Sequence, residues 1–251
     1  MASPPRAAPS WLVDEPYEDH PRGTLKSGKE AEVFLVERRF ARQTALLAHK
    51  RYRPRYPSRG ELRALGFSNS TVYRGDAVYK AGWFLPTRDK RALMGGTAFG
   101  HRLAARLWPL QEWAMLERAW ASGASVPYPV ERTEDGLLME FIGDAGQAAQ
   151  KLVQARLSAD EIGSAWEQLL TSVRALTMAG LVHADLSAYN LLWWQGRLVL
   201  IDFPQGVEFT TNTDAYDLLH RDIANVGAWF GRHGLPVDVE ATYAELVALA
   251  F

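Results

Sequence analysis

The sequence of 251 residues contains no cysteine, carries a formal net charge of only -1 and has no long apolar run. The absence of cysteine excludes disulfide bonds, thiolate catalysis and cysteine-ligated zinc or iron–sulfur centres. No apolar run reaches the roughly 18–20 residues that cross a bilayer, and residues 1–10 lack the apolar segment of a secretory signal. We therefore expect no membrane partner and a cytoplasmic location, and the charge balance gives no global attraction to nucleic acid.

The pattern of strands, helices and breaks predicts an α+β protein with a smaller, β-rich N-terminal lobe and a helix-rich C-terminal lobe. Strands are predicted at residues 23–25, 32–37, 44–50 and, around a turn, within 127–142. Helical spacing marks residues 107–122, 158–178, 213–230 and 237–251. These elements place the lobes at residues 21–143 and 144–251, after a loosely ordered lead-in at residues 1–20. Residues 52–105, punctuated by glycine and proline, are predicted to form a partly mobile insertion in the N-terminal lobe.

The strongest chemical signal is the segment His183-Ala184-Asp185-Leu186-Ser187-Ala188-Tyr189-Asn190, followed shortly by Leu200-Ile201-Asp202. Phosphoryl transfer needs a carboxylate that orients or deprotonates the attacking hydroxyl, and hard oxygen ligands that hold Mg²⁺ against the phosphates. Asp185 suits the first task, and Asn190 and Asp202 suit the second, while His183 is expected to pack within the loop. Such side chains also cap ordinary turns, but an aspartate at the end of a strand at this spacing favours the kinase arrangement.

Two weaker signals lie in the first half of the sequence. The turn at Ser27 and Gly28, between two predicted strands, can lay backbone N–H groups and a hydroxyl against phosphates, although a plain hairpin turn is the alternative. Lys50 ends a strand, where it can neutralise the inner phosphates while the helical Glu112 orients it. Taken singly, either charged residue is more often a solvated surface group.

Together these residues resemble the RIO family of atypical serine/threonine protein kinases, over most of the chain from about Gly23 to Phe230. The pieces that carry the resemblance are Ser27-Gly28-Lys29-Glu30-Ala31-x-Val33, Lys50, Trp108-x3-Glu112, Met139-x-Phe141-Ile142-Gly143, Leu181-Val182-His183-Ala184-Asp185-Leu186-Ser187-x-Tyr189-Asn190, Ile201-Asp202-x2-Gln205 and Arg221-Asp222-Ile223-Ala224-Asn225-Val226-x2-Trp229-Phe230. The phosphate-loop and catalytic-loop phrases resemble the first RIO subfamily, whereas Asp202-Phe203-Pro204-Gln205 is similar to the second.

The resemblance implies a two-lobed kinase fold that lacks the usual activation segment and substrate-docking helices. It implies ATP and Mg²⁺, with Mn²⁺ as an alternative metal, and a protein serine as phosphate acceptor, including one of the chain's own. The implied nucleotide-binding residues are Ser27, Gly28, Lys29, Val33, Lys50, Glu112, Met139, Glu140, Phe141, Ile142 and Asn190. Asp185 is implied to be the catalytic aspartate, and Asn190 and Asp202 the metal ligands. Family members also act as ATPases in which the metal-binding aspartate, here Asp202, is transiently phosphorylated.

Two other functions stay open at this point. One is a small-molecule phosphotransferase of the aminoglycoside-kinase or sugar-kinase type, which shares the His-x-Asp-x4-Asn arrangement, although the Ser-Gly-Lys-Glu-Ala phrase favours a RIO-like enzyme. The other is a nucleotide-switched binding scaffold, which the complete set of site residues disfavours. The basic, aromatic stretch from Lys50 to Arg63 could contact RNA or a ribosomal partner, but we favour a solvated loop there.

Overall fold

The computed structural model describes residues 7–28, 31–52 and 98–250, with the backbone alone over residues 98–108. Lys29, residues 1–6 and most of the predicted insertion lie outside the described residues, so those sequence predictions have no structural counterpart here. Within the described parts of the chain, no helix is long and apolar enough to cross a membrane.

The N-terminal half is built on one antiparallel sheet of five strands in the order β1-β2-β3-β5-β4. The strands are β1 (Glu18–Ser27), β2 (Ala31–Arg39), β3 (Thr44–Tyr52), β4 (Pro129–Arg132) and β5 (Gly136–Glu140). The sheet thus joins a three-stranded meander, β1 to β3, to the distant hairpin of β4 and β5, and β3 pairs with β5 where the two meet. Gly136 allows this close approach, because a Cβ there would lie 1.8 Å from the carbonyl oxygen of Lys50. β1 begins at Glu18, inside the stretch that the sequence predicts to be loosely ordered.

A long helix, α1 (Ala98–Ala121), contacts strands β3, β4 and β5. It begins at Ala98 rather than at residue 107, and so it takes up the end of the predicted insertion. Pro109 lies inside the helix, where it removes one backbone donor. The helix continues because residues beyond the proline, among them Met115, Leu116 and Ala119, are buried in the core.

The C-terminal half contains three helices and several short strands. α2 (Ala159–Met178) begins with a capping box in which Ser158 and Glu161 satisfy each other's backbone N–H groups. α3 (Ala215–Arg232) and α4 (Val239–Ala248) pack on each other, and α4 is shorter at both ends than predicted. The short strands are β6 (Gly143–Asp144), β7 (Gln147–Ala148), β8 (Gln150–Lys151), β9 (Leu181–Val182), β10 (Leu191–Trp194), β11 (Arg197–Leu200) and β12 (Val207–Glu208).

The short strands matter because they carry the predicted catalytic residues. Strands β8, β10 and β11 form one small sheet, and β9 pairs with β12. The predicted catalytic loop runs between β9 and β10, and Asp202 follows β11. The hydrophobic core that includes α1, α2 and α3 lies beneath these connections. Both loops therefore project from a packed base towards the sheet of the N-terminal half.

Candidate active site

Lys50 is the point where the two halves of the protein meet. Its Nζ lies 2.6 Å from Glu112 Oε1 on α1 and 2.5 Å from Asp202 Oδ1 after β11. Glu112 Oε1 also accepts the backbone N–H of Phe203 at 3.3 Å. Tyr52, two residues after Lys50 on β3, donates its hydroxyl to Glu112 Oε2. Three of the residues predicted from sequence thus form one ion-pair cluster, and Tyr52 is a member that the sequence did not identify.

The charges of this cluster depend on one another because most of it is buried. Burial acts to lower the pKa of Lys50, but Asp202 and Glu112 outweigh it and hold that pKa well above its usual value. Burial acts to raise the pKa of Asp202, yet the adjacent Lys50 brings it below the usual range. Glu112 is 2% exposed, and its burial raises its pKa despite the contact with Lys50. Lys50 is therefore charged, and one ammonium group serves two carboxylates.

The catalytic loop brings Asp185 and Asn190 together. Asn190 Nδ2 donates to the backbone oxygen of Asp185 at 2.8 Å and to Asp185 Oδ2 at 3.0 Å. Because both bonds use the nitrogen, the amide Oδ1 of Asn190 is the atom that remains for a metal. Burial and the charge of Asp202 both raise the pKa of Asp185, which makes its carboxylate a better acceptor for the proton of a hydroxyl.

His183 fastens the base of this loop, as the sequence predicts. The ring is 3% exposed and lies tilted against the ring of Phe203 at a centroid distance of 4.4 Å. Its Nε2 lies 3.1 Å from the carbonyl oxygen of Ile201, and its Nδ1 accepts the backbone N–H of Asp185 at 3.4 Å. Burial lowers the pKa of His183 to about 4, so the ring is neutral and links the loop to the residue before Asp202.

A buried carboxylate on α3, Asp222, holds the catalytic loop from below. It is 1% exposed, and its two oxygens accept the backbone N–H groups of Ala184 at 2.7 Å and Leu186 at 3.0 Å. The adjacent Arg221 donates to the carbonyl oxygen of Ala184. Sequence reasoning placed both residues in a family-like tail but gave them no role. The only feature of the sequence that pointed to such a role was that the two residues are adjacent on one predicted helix.

Two residues of the site have a backbone conformation that L-amino acids rarely adopt. Ala184 has φ of 63° and Asp202 has φ of 74°, in the left-handed region that favours glycine. Such conformations persist where the surroundings hold them in place and occur often at active sites. Here the hydrogen bonds of Asp222 and Arg221 hold Ala184, and the ion pair with Lys50 holds Asp202.

The predicted phosphate loop is the turn between β1 and β2. The backbone N–H of Gly28 donates to the carbonyl oxygen of Ala31 at 2.9 Å, and Ser27 Oγ donates to Glu32 Oε1 at 3.1 Å. A Cβ at position 28 would lie 3.1 Å from the oxygen of Ala31, so a larger residue would press on the turn. Lys29 lies outside the described residues. Val33 pairs with Lys50 in the β2–β3 ladder, which places the turn on the strand next to the lysine.

The predicted adenine-binding residues gather at the end of β5. Phe141, Leu35 and Ala48 form a buried apolar cluster, and Val33, Leu25, Leu46 and Met139 pack against it. Glu140 is fixed by its side chain, since Oε2 accepts the backbone N–H of Tyr128 at 3.1 Å. Ile142 is buried, and its carbonyl oxygen accepts the N–H of Ala149 at 2.9 Å. An apolar surface beside a fixed backbone segment is suited to a flat aromatic base.

The donor set around Asp202 suits a hard divalent cation. Asp202 offers a carboxylate, and the backbone oxygen of Asn190 accepts the N–H of Ile201, the residue before Asp202, at 3.0 Å. Mg²⁺ in nucleotide enzymes typically takes one or two carboxylates together with phosphate oxygens and water. Among the described residues no cluster of three or more His, Cys, Asp or Glu side chains could hold a metal without such help. Asn190 and Asp202 thus offer oxygen donors of the kind that a magnesium ion bound to phosphates takes from a protein.

Comparison with known proteins gives consistent matches. The sequence matches the family model described as the RIO domain over residues 75–243, which starts inside the predicted insertion. It is 32% identical over 232 residues to the RIO-type serine/threonine-protein kinase Rio1 of Haloferax volcanii, covering 92% of this chain and 70% of that protein. It is 29% identical over 212 residues to the serine/threonine-protein kinase rio1 of Schizosaccharomyces pombe, of which it spans 38%.

The fold also matches solved structures. The Rio2 kinase from Chaetomium thermophilum, solved as an ADP/Mg²⁺-phosphoaspartate complex, superposes with a TM-score of 0.61 at 18% identity, over 91% of this chain and 62% of that one. A second structure of the same kinase gives a TM-score of 0.60. At this identity the likeness concerns the fold, and it confirms the predicted two-lobed, kinase-like α+β architecture.

Proposed function

The chain belongs to the RIO family of atypical serine/threonine protein kinases, and we propose that it transfers the γ-phosphate of ATP to a protein serine, including its own, or transiently to Asp202. The observation that carries this proposal is the contact of one buried lysine with both Glu112 and Asp202. It brings residues from β3, α1 and the loop after β11 into one cleft. The names of the relatives favour a protein acceptor over a small molecule.

Each group in the cleft has a defined task in this proposal. The apolar cluster around Ala48 and Phe141 receives the adenine, and the turn at Ser27 and Gly28 covers the phosphates. Asn190 and Asp202 would hold Mg²⁺, which would neutralise charge on the phosphate oxygens. Lys50 neutralises inner phosphate oxygens and is itself oriented by Glu112. The ADP and Mg²⁺ of the Chaetomium thermophilum Rio2 complex support this choice of cofactors.

Asp185 acts on the acceptor. Its carboxylate, with a pKa raised by burial and by Asp202, orients an incoming serine hydroxyl and takes its proton as the oxygen attacks phosphorus. The new O–P bond forms while the bond from phosphorus to the ADP oxygen breaks, so the proton ends on Asp185 and the charge on ADP. In the ATPase variant of the reaction, a carboxylate oxygen of Asp202 attacks instead, and water then hydrolyses the acyl phosphate.

The test is turnover of radiolabelled ATP with Mg²⁺ or Mn²⁺ by wild type, Asp185→Asn and Asp202→Ala. We expect both variants to lose roughly a hundredfold or more of the wild-type rate. Asp160→Ala, which removes an exposed carboxylate in the first turn of α2, is the matched control and should keep the rate. Label on serine survives hydroxylamine, whereas label on Asp202 is released by it. Equal activity in wild type and Asp202→Ala would contradict the assignment.

A ribosomal or RNA partner remains a prediction from the sequence. Residues 53–63 of the basic stretch lie outside the described residues, so their arrangement gives it no structural support. The described end of the stretch is engaged within the protein, since Arg51 Nε donates to Asp135 Oδ2 at 2.6 Å.

A further inference from the structure

Lys26 brings a further positive charge to the cleft face of the sheet. On β1 it pairs with Val33 of β2, and Val33 in turn pairs with Lys50 of β3. Directly opposed residues of neighbouring antiparallel strands point to the same face of a sheet. Since Lys50 points into the cleft towards Asp202, the register directs the exposed Lys26 to the same side.

Lys151 lies beside the catalytic loop, in the opposite half of the protein. It lies on β8, where it pairs with Leu192 of β10, just after the catalytic loop. The next two backbone N–H groups along the chain bond to that loop and its strand, from Leu152 to Leu191 at 2.8 Å and from Val153 to Ala188 at 3.1 Å. The ammonium nitrogen of Lys151 lies 5.9 Å from the ring centroid of Tyr189, the residue before Asn190. Lys151 is thus fixed to the catalytic loop.

The charge of Lys26 affects both Lys151 and Asp202. Burial and then the charge of Lys26 lower the pKa of Lys151, and Lys26 also helps to lower the pKa of Asp202. Like charges on two ammonium groups disfavour each other, and an anion bound between them relieves this repulsion. Lys50 does not need such an anion, because Glu112 and Asp202 already neutralise it.

We propose that Lys26 and Lys151 bind the terminal phosphate of ATP between them and thereby hold the two lobes together around the nucleotide. This inference rests on the proposed function and adds two phosphate-binding residues to it. Lys50, which is shared between two carboxylates, leaves the outermost phosphate oxygens without a full counter-charge. Lys26 and Lys151, one from each lobe, supply this counter-charge through charge-assisted hydrogen bonds. The phosphate between them then attracts both lysines, which otherwise repel each other.

The experiment is calorimetric titration of Lys26→Gln, Lys151→Gln and the double variant with ATP, ADP and adenosine. Each single variant should weaken ATP binding about tenfold, as expected for the loss of one charge-assisted contact. ADP should be affected less, and adenosine not at all, because it lacks the phosphates. Without nucleotide, each variant should unfold at a higher temperature than wild type, because the repulsion is gone. A merely structural role of either lysine would lower that temperature instead.

Arg22→Gln is the matched control. It removes a cation from the same strand, but one whose guanidinium pairs with Glu37 at 2.6 Å, and it should leave ATP binding unchanged. If the lysine variants weaken ATP and adenosine equally, or weaken neither, the inference is wrong and the proposed function stands. If the wild type does not bind ATP at all, both are wrong.

Discussion

The lysine cluster and the catalytic loop are neighbouring parts of the candidate site, but different forces hold them in place. The lysine cluster, made of Lys50, Tyr52, Glu112 and Asp202, is joined by side-chain charges from three distant parts of the chain. The catalytic loop is held mainly through its backbone, whose N–H groups at Ala184 and Leu186 bond to Asp222. The first arrangement depends on charge balance, and the second on a single buried acceptor.

In the catalytic loop, the groups assigned to the reaction are largely different from the groups that hold the loop in place. In the lysine cluster, the same side chains are assigned both tasks. Because the loop is held largely by backbone bonds, Asp185 can be replaced while the loop keeps its course, whereas Asn190 also bonds to the backbone oxygen of Asp185. In the cluster, the side chains that join the two halves of the protein are also the ones proposed to bind phosphate and metal. A change there is expected to cost stability and activity at once.

The largest expected effect comes from Lys50→Met. It removes the ammonium group but keeps much of the stem, and it leaves the buried Glu112 and the half-buried Asp202 without their counter-charge. Breaking a buried pair in this way costs about 3–5 kcal/mol of unfolding free energy. We expect a loss in that range in urea unfolding, together with loss of ATP turnover.

The double variant Lys50→Met/Glu112→Gln makes this prediction sharper. The amide removes one of the two uncompensated carboxylates, so that only Asp202 is left unpaired. Because it still offers an acceptor to Tyr52, at least part of the lost stability should return while turnover stays absent. If the double variant is less stable than Lys50→Met alone, charge balance is not what holds the cluster together.

The sequence predicted the local part of the site better than its long-range part. Asp185 and Asn190 are five positions apart, so a short loop is enough to bring them together, and the structure joins them by a hydrogen bond. Asp222 contacts loop residues that lie 36 and 38 positions away in the sequence. From the sequence alone, an aspartate on a helix is interpreted as an exposed surface charge. The residue types around Asp202 did not predict its left-handed backbone conformation. Register and strand order, which set Lys50 opposite Asp202, arise from tertiary packing.

The same limit applies to the fold. The alternation of apolar residues predicted strands at β2 and β3, and the Ser158 capping box predicted the start of α2. The start of α1 was misplaced, because a helix that runs through Gly100 and Pro109 contradicts local propensity and is supported by burial of its later turns. The assignment of residues 21–143 and 144–251 to two lobes remains a prediction.

His183, at the base of the catalytic loop, is expected to make the stability of the protein depend on pH. The pKa of His183 is lowered by burial to about 4, against about 6.5 for an unfolded chain. Protonation therefore favours the unfolded state, and the neutral ring's contribution is complete above about pH 6.5 and is lost as the pH falls through about 4. The expected change is about 3 kcal/mol over this window.

His183→Gln keeps a donor for Ile201 but does not titrate. The stability of wild type relative to this variant should therefore shrink between about pH 7.5 and about pH 4.5, measured by urea unfolding at each pH. Asp222, with a pKa raised by burial to about 7, acts in the opposite direction in both proteins and cancels in the difference. A constant difference would contradict the assignment of a buried neutral His183.

Asp222→Asn tests the single acceptor beneath the loop. An asparagine oxygen can accept only one of the two N–H groups, from Ala184 or Leu186, and its amide nitrogen faces the other. We expect a loss of about 2 kcal/mol and a lower rate constant for turnover with little change in ATP affinity. Asp217→Asn, an exposed aspartate on the same helix, should leave both unchanged. Equal effects of the two substitutions would show that the loop does not depend on this acceptor.

Tyr52→Phe has the smallest expected effect and probes the cluster without altering its charge. The hydroxyl holds Glu112 Oε2, so that Oε1 is directed to Lys50 and to the N–H of Phe203. Burial and Glu112 raise the pKa of Tyr52 well above its usual value, and the group therefore remains a donor. Its removal should cost about 1.5 kcal/mol and reduce turnover modestly, because the glutamate gains a second orientation.

Tyr17→Phe removes a similar bond at the surface, where the hydroxyl lies 3.3 Å from Glu131 Oε2. Water replaces that bond, so this control should change stability little. A loss as large as that of Tyr52→Phe would mean that both substitutions report packing of the ring. A loss confined to Tyr52→Phe, with reduced turnover, would show that the cluster needs its uncharged member to keep Glu112 directed at Lys50.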